Sequence, residues 1–267
     1  LHADIEGIKE TFSGKESKEK ILFADLKLER EISTAQVELS SLRVEVDKYK
    51  TQNLDRADLD KKLNSAQLKM NIIKKKVPDN IIIRSDKTFT KEMNQADLQQ
   101  IILEVYPDFL EERVEKILKM SADTIEKYNF KISSSAYNII VVYLDGSRKE
   151  QALIKEAISS SLGKNENVSI LESIPYGIAE KVSDIEVKNV NYDVLKENAI
   201  ISFKSDTKEI IYTVDKPIDL ELMDEVKSVL FYNIWEEPKK SPITGYFTMV
   251  EFNESRKYFG WVIAKVR

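Results

Sequence analysis

Apolar residues between positions 26 and 50 recur at alternating steps of four and three. These residues are Leu28, Ile32, Ala35, Leu39, Leu42, Val46 and Tyr49. A spacing that averages about 3.5 residues keeps a narrow apolar stripe facing a partner helix, as in a coiled coil. The a and d positions mix β-branched residues with leucine, which is compatible with a parallel dimer. The pattern predicts an interface through which the chain associates with itself.

The helical pattern continues to residue 76 without proline or glycine. The apolar stripe is interrupted at TQNLDRAD, residues 51–58, and reappears displaced by three residues. The second stripe consists of Leu59, Leu63, Ala66, Met70 and Ile73. We favour a continuous rod of about 84 Å, because the interruption contains no helix breaker. A helical hairpin that turns within the same polar stretch is the alternative.

Three lysines followed by Val77 and Pro78 predict where this helix ends. Positive charge suits a helix C-terminus, and proline disfavours helical geometry in the residue before it. We interpret the lysines as capping residues rather than as a phosphate or lipid contact. The predicted organisation is a flexible lead-in at 1–20 and a coiled coil at 21–77.

Beyond Pro78 the pattern mixes strands with helices, so the predicted fold class is α+β, a long N-terminal coiled coil followed by a mixed α/β region. Helices are predicted at residues 97–106, from an N-cap at Asp108, at about 149–162 and at about 219–232. Strands are predicted at residues 80–83, 131–133, 138–144, 167–171, 185–190, 199–203 and 209–214. The Asp145-Gly146 pair predicts a turn.

A short internal sequence similarity indicates that the mixed region contains two related lobes, at 78–190 and 191–267. DNIII at 79–83 resembles ENAII at 197–201, and each is followed by a predicted helix that opens on Asp-Leu. Coincidence is the competing interpretation, because the match is short and consists of common residues.

The composition of the chain limits the kinds of partner and site that the protein can have. The net charge of -5 comes from 41 basic and 46 acidic residues, a balance that argues against a nucleic-acid partner. There is no cysteine, and the single histidine is His2, so thiolate chemistry and multi-histidine metal sites are excluded by count. No spacing singles out a pair of carboxylates, and phosphate-binding or calcium-binding loop motifs are missing. We therefore expect that the protein is not an enzyme and that it has neither a cofactor nor a metal site.

Aromatic residues cluster between positions 231 and 261. Trp235, Tyr246 and Trp261 are the candidates for lining a ligand groove. The favoured interpretation is that a small C-terminal lobe needs large side chains to fill its core.

The end of the chain resembles the last lobe of an uncharacterised bacterial family. The resemblance rests on YNIW at 232–235, SPITG at 241–245, VEF at 250–252 and WVI at 261–263. In that family a pair of membrane helices leads into a long coiled coil and a two-lobed α/β domain. The resemblance implies an extracytoplasmic protein, anchored through an N-terminal segment that this sequence does not contain. A cytoplasmic location is the alternative.

The leading functional hypothesis is a non-enzymatic scaffold, which self-associates through the coiled coil and presents its α/β domain to a protein partner. The alternative is a sensor that binds a small ligand or glycan in the aromatic groove.

Overall fold

The structure, a computed structural model, describes residues 1, 5–8, 10, 18–52, 54–91 and 93–234. Its α-helices are α1 (Lys18–Asp25), α2 (Leu28–Thr51), α3 (Arg56–Lys74), α4 (Gln95–Val105) and α5 (Glu111–Tyr128). Its strands are β1 (Pro78–Lys91), β2 (Lys131–Tyr143), β3 (Arg148–Ser159), β4 (Val168–Ser173), β5 (Ile185–Val187), β6 (Asp193–Lys196), β7 (Ile200–Lys204), β8 (Glu209–Val214) and β9 (Lys227–Tyr232). Short 3₁₀ helices lie at Val182–Asp184 and Leu220–Glu225.

The strands form two antiparallel sheets. The larger sheet has the order β1-β2-β3-β8-β5, and the smaller sheet has the order β6-β7-β4-β9. The turn at Asp145-Gly146 joins β2 to β3, with Gly146 at φ 84°, which a residue without a Cβ adopts without strain. This turn was predicted from the sequence and is confirmed.

The two sheets pack face to face around the main core. Successive side chains of a strand point to opposite faces, so alternate residues along parts of β2, β3, β4 and β8 enter this core. Ile132, Ile154, Ile170 and Tyr212 are among its fully buried residues.

The N-terminal helices cover the other face of the larger sheet. Ile32 of α2 packs in one cluster with Ile139 of β2, Leu153 of β3 and Ile211 of β8. Ile5 is buried in the same cluster. The side chain of Lys155 on β3 donates to both carboxylate oxygens of Asp25 at 3.1 Å and so fastens α1 to the sheet.

Helices α2 and α3 form an antiparallel hairpin, so the predicted continuous rod is wrong. Helix α2 ends at Thr51, and Asp55 begins α3 by accepting a hydrogen bond from the Asp58 amide at 2.8 Å. Lys76, just after α3, pairs with Glu38 of α2 at 2.8 Å. The new helix begins without glycine or proline because Asp55 caps it.

Helices α4 and α5 cover the outer face of the smaller sheet. Ile101, Ile102 and Ile117 pack against Leu171 of β4 and Val229 of β9. The part of the chain up to Ile234 that the structure describes therefore has four layers, with helices outside and sheets inside.

The region after Pro78 is mixed α and β, as predicted. Strand β8 and helix α4 closely match their predictions, and the helix end near Lys74 is confirmed. Asp108 is not the N-cap of the following helix, because α5 begins at Glu111 after Leu110.

Two predicted helices are wrong. Residues 148–159 form β3, and residues 219–232 form a 3₁₀ turn followed by β9. Both stretches are rich in residues that favour helices, but pairing with β2, β8 and β4 outweighs that weak preference.

The expected boundary near residue 190 does not separate compact units. Strand β8 pairs with β3, and strand β4 pairs with β7 and β9, so each sheet contains strands from both sides of that position. No helix in the described part of the chain is long and apolar enough to cross a membrane.

Candidate functional site

A buried glutamate, Glu156 of β3, points into the interface between the two sheets. Its side chain is completely buried. Its Oε1 accepts hydrogen bonds from Ser134 Oγ at 3.1 Å and Ser228 Oγ at 2.9 Å. Lys91 Nζ, at the end of β1, donates to the same oxygen at 3.1 Å. Donors from both sheets therefore converge on a single carboxylate oxygen.

A second buried glutamate, Glu172 of β4, enters the interface from the other sheet. It is also completely buried, and its Oε1 accepts a hydrogen bond from the Tyr212 hydroxyl at 2.7 Å. Ser228 lies opposite Glu172 in the pairing of β4 with β9 and donates to Glu156. Ser228 thereby connects the surroundings of the two carboxyl groups.

Strand geometry explains how these side chains meet. Ser134 is the direct cross-strand partner of Glu156, and directly opposed residues project from the same face. Tyr212 of β8 lies opposite Ile154, two residues from Glu156 along β3. The donors and acceptors are therefore held by strand register, on β1, β2, β3 and β8 of the larger sheet and on β4 and β9 of the smaller sheet.

The hydrogen bonding of the two glutamates is incomplete. Within the described residues, Oε2 of Glu156 and Oε2 of Glu172 have no hydrogen-bond partner, although both atoms are buried. An unsatisfied buried polar atom costs about 1–3 kcal/mol, and an uncompensated buried charge costs considerably more. The interface therefore favours a neutral form for one of the two carboxyl groups.

Burial raises the pKa of the Glu172 carboxyl to about 8, and the nearby negative charge of Glu156 acts in the same direction. The charge of Lys91 and the hydrogen bond from Tyr212 oppose this rise. Burial, with the two carboxyl groups contributing, also raises the pKa of Tyr212 well above its usual value. Glu172 and Tyr212 are thus both held in their protonated forms at neutral pH.

This arrangement, which we call the inter-sheet acidic cluster (Lys91, Ser134, Glu156, Glu172, Tyr212 and Ser228), can hold and release a proton. Its carboxyl groups are sealed from solvent, so their direct chemistry is protonation and hydrogen bonding. In the described part of the chain, no three His, Asp or Glu side chains are grouped to hold a metal ion.

A second feature is a groove on the outer side of the hairpin, with a volume of about 450 Å³. Leu42 and Ile73 line the groove and are buried, whereas Val37 and Ile72, which also line it, are 71% and 55% exposed. Glu45 of α2 and Lys69 of α3 form an ion pair at 2.6 Å along its wall. The groove therefore has apolar walls with charged groups of both signs.

Most residues of the predicted coiled-coil stripe are used within the chain. Leu28, Ile32, Ala35 and Leu42 are buried in the cluster between helices and sheet, and Leu39, Val46 and Met70 pack against it. Tyr49 is buried, and its hydroxyl donates to Glu45 at 2.6 Å.

Two residues of the second stripe, Leu59 and Leu63, lie toward the turn end of the hairpin. Leu59 is half-buried and Leu63 is 44% exposed. The predicted groove residues Trp235, Tyr246 and Trp261 lie outside the described residues.

The acidic cluster was not predicted from the sequence, although the sequence contains a recognisable signal of it. Ala152, Ile154, Glu156 and Ile158 alternate along β3, and Glu172 continues the alternation of Val168 and Ile170. A charged residue at an inward position of a buried strand is rare unless it is paired. Glu156 also interrupts the two-residue alternation of apolar side chains in β3, so the segment resembles a helix in the sequence.

Comparisons of this chain with protein-family models, with curated proteins and with solved structures found no match.

Proposed function

We propose that this chain is a non-enzymatic assembly module, in which two copies associate through the outer face of the hairpin. The observation that carries the proposal is the exposed apolar surface of α2 and α3. Val37, Val44, Leu68 and Ile72 are between 55% and 71% exposed. The association leaves the second helix pair, α4 and α5, free to contact a protein partner.

The exposed residues have the spacing of helix faces. Val37 and Val44 are seven residues apart on α2, and Leu68 and Ile72 are four apart on α3, so each pair occupies one side of its helix. Val37 and Ile72 both line the groove. Burying such side chains against a second copy contributes about 1.5–3 kcal/mol for each one that becomes fully buried.

The charges around the groove favour a second copy of the chain as the occupant. The groove face of α2 carries Glu38 and Glu45, and their partners Lys76 and Lys69 belong to or follow α3. In a two-fold arrangement whose axis runs parallel to the hairpin helices, α2 of one copy faces α3 of the other, so acidic groups oppose basic groups. The same patch can therefore be complementary to itself.

The size of the face is adequate for a dimer. Helix α2 has 24 residues and is about 36 Å long, and two helices side by side are about 20 Å wide. The resulting area of about 700 Å² is close to the roughly 800 Å² that each partner contributes to a stable interface.

The test is light scattering on residues 1–267 and on the double variant Val37→Glu/Ile72→Glu. We expect the unaltered protein to have twice the monomer mass of 30.8 kDa and the variant to have the monomer mass. The matched control is Leu103→Glu/Leu110→Glu, which places two charges on exposed leucines of the other helical layer and should remain dimeric. Circular dichroism would show that each variant is folded.

A monomeric unaltered protein would rule out self-association through this face. A dimer that persists in the hairpin variant, or that is lost equally in the control, would place the interface elsewhere. The protein partner and the location at the cell envelope stay predictions from the sequence.

A further inference from the structure

The inter-sheet acidic cluster contains more negative than positive groups. Lys91 is the only cation among the titratable groups of the described chain that interact with Glu172, whereas Glu156 and Glu172 are both carboxyl groups. If both glutamates were ionised, one buried negative charge would remain without compensation. Such a charge is costly at a position that water does not reach.

The hydrogen bonds show which glutamate carries the charge. Glu156 Oε1 accepts from Lys91, Ser134 and Ser228, three donors that include the ammonium group. Glu172 Oε1 accepts from the neutral hydroxyl of Tyr212 alone in the described structure. Three donors stabilise a carboxylate, whereas a single hydroxyl in an apolar setting suits a carboxylic acid.

The remaining surroundings of Glu172 provide no further charge. Its cross-strand neighbours are Ile201 of β7 and Ser228 of β9. From the larger sheet, Glu156 of β3, Tyr212 of β8 and Lys91 of β1 are the titratable groups that act on it. The ammonium group of Lys91 is already paired with Glu156, so Glu172 is the group that must be neutral.

We propose that the contact between the two sheets is a proton-dependent joint, in which Glu172 is held as a carboxylic acid and weakens the joint when it loses its proton. At alkaline pH its O–H bond breaks and the proton passes to solvent. Two carboxylates then share one ammonium group inside the core. The inference stands on the acidic cluster alone and does not depend on the association of two copies.

The sign of the pH effect follows from the raised pKa of Glu172, about 8 in the folded protein against an ordinary value of 4.5. Between these values the folded state binds a proton that the unfolded chain has lost. Stability from this group is therefore complete below about pH 4.5 and is lost as the pH rises toward about 8. The unfolding equilibrium constant should rise by up to about tenfold for each pH unit in this window.

The direct test is a titration of the folded protein labelled with carbon-13 at the glutamate side-chain carboxyl. We expect one carboxyl resonance to titrate near pH 8, well above the usual glutamate range, and to be missing in Glu172→Gln. If every glutamate resonance has finished titrating below pH 6, the proposal is overturned. This readout uses the unaltered protein, so it decides the question even if the variant does not fold.

The second test is urea unfolding between pH 5 and pH 9. Glutamine has the shape of protonated glutamate and cannot release a proton, so Glu172→Gln should remove the loss of stability that the unaltered protein shows as the pH rises. The control is Glu166→Gln, which neutralises an exposed glutamate just before β4 and should keep the original pH profile. An unchanged profile in Glu172→Gln would contradict the joint.

Discussion

The carboxylate of Glu45 lies 2.6 Å from the ammonium group of Lys69, although 24 residues separate them in the chain. In one unbroken helix the same separation would place them about 36 Å apart. The ion pair therefore marks the antiparallel return of α3 along α2. Because of that return, the apolar stripe packs against the chain's own sheet, and the opposite side of the hairpin faces solvent.

Replacing Lys91 with methionine should strongly destabilise the protein. Its ammonium group is the cationic partner of the fully buried Glu156 at 3.1 Å, and removing one partner of a buried pair costs about 3–5 kcal/mol. Urea unfolding at neutral pH would measure the loss.

The control for this variant is Lys87→Met on the same strand. Lys87 pairs with Glu221 and Asp224, which are both exposed, so its replacement should cost much less. Equal losses in the two variants would show that the burial of Glu156 does not matter.

Replacing Tyr212 with phenylalanine should lower the free energy of unfolding by about 1–3 kcal/mol. The change removes the hydroxyl that donates to Glu172 at 2.7 Å and keeps the buried ring. Tyr192→Phe is the control, since its ring packs against Phe203 at the edge of the same core. Thermal or urea unfolding would compare the stabilities of the two variants. If Tyr212→Phe leaves the stability unchanged, the hydrogen bond is not important.

Replacing Ile32 with alanine should cost about 2–5 kcal/mol, because it opens a cavity between α2 and the larger sheet. Val37→Ala on the same helix should change the stability by less than about 0.5 kcal/mol, since this side chain is 71% exposed. Urea unfolding of dilute protein would measure the change in the free energy of unfolding for both variants. A large loss at Val37 would mean that the two faces of α2 have been assigned incorrectly.

Replacing Lys27 with glycine should stabilise the protein by up to about 1 kcal/mol. Lys27 joins α1 to α2 with φ at 58°, a left-handed conformation that glycine adopts without a steric penalty. The control is Lys61→Gly inside α3, which should cost about 1 kcal/mol of helix stability. If both variants lose stability, the bend at Lys27 does not store the expected strain.

The sequence predicted individual elements well where their pattern was local and unbroken. After Glu209, strand β8 is an unbroken run of β-branched and aromatic residues, and α4 shows a clean helical period, so both were placed within one or two residues. It failed at β3, where Glu156 occupies an inward position and the residues otherwise favour helix. The exception to the pattern is the residue on which the candidate site depends.

The sequence by itself determined that helices precede a mixed region, that the helical segment ends before Pro78, and that histidine and cysteine chemistry are excluded. These conclusions depend on composition and on contacts between near neighbours in the chain. Only the tertiary structure decided that α2 and α3 fold back on each other and that β3 pairs with β8. It also decided that Glu156 and Glu172 enter one interface from different sheets, because the pairing of distant strands depends on packing that no local pattern encodes.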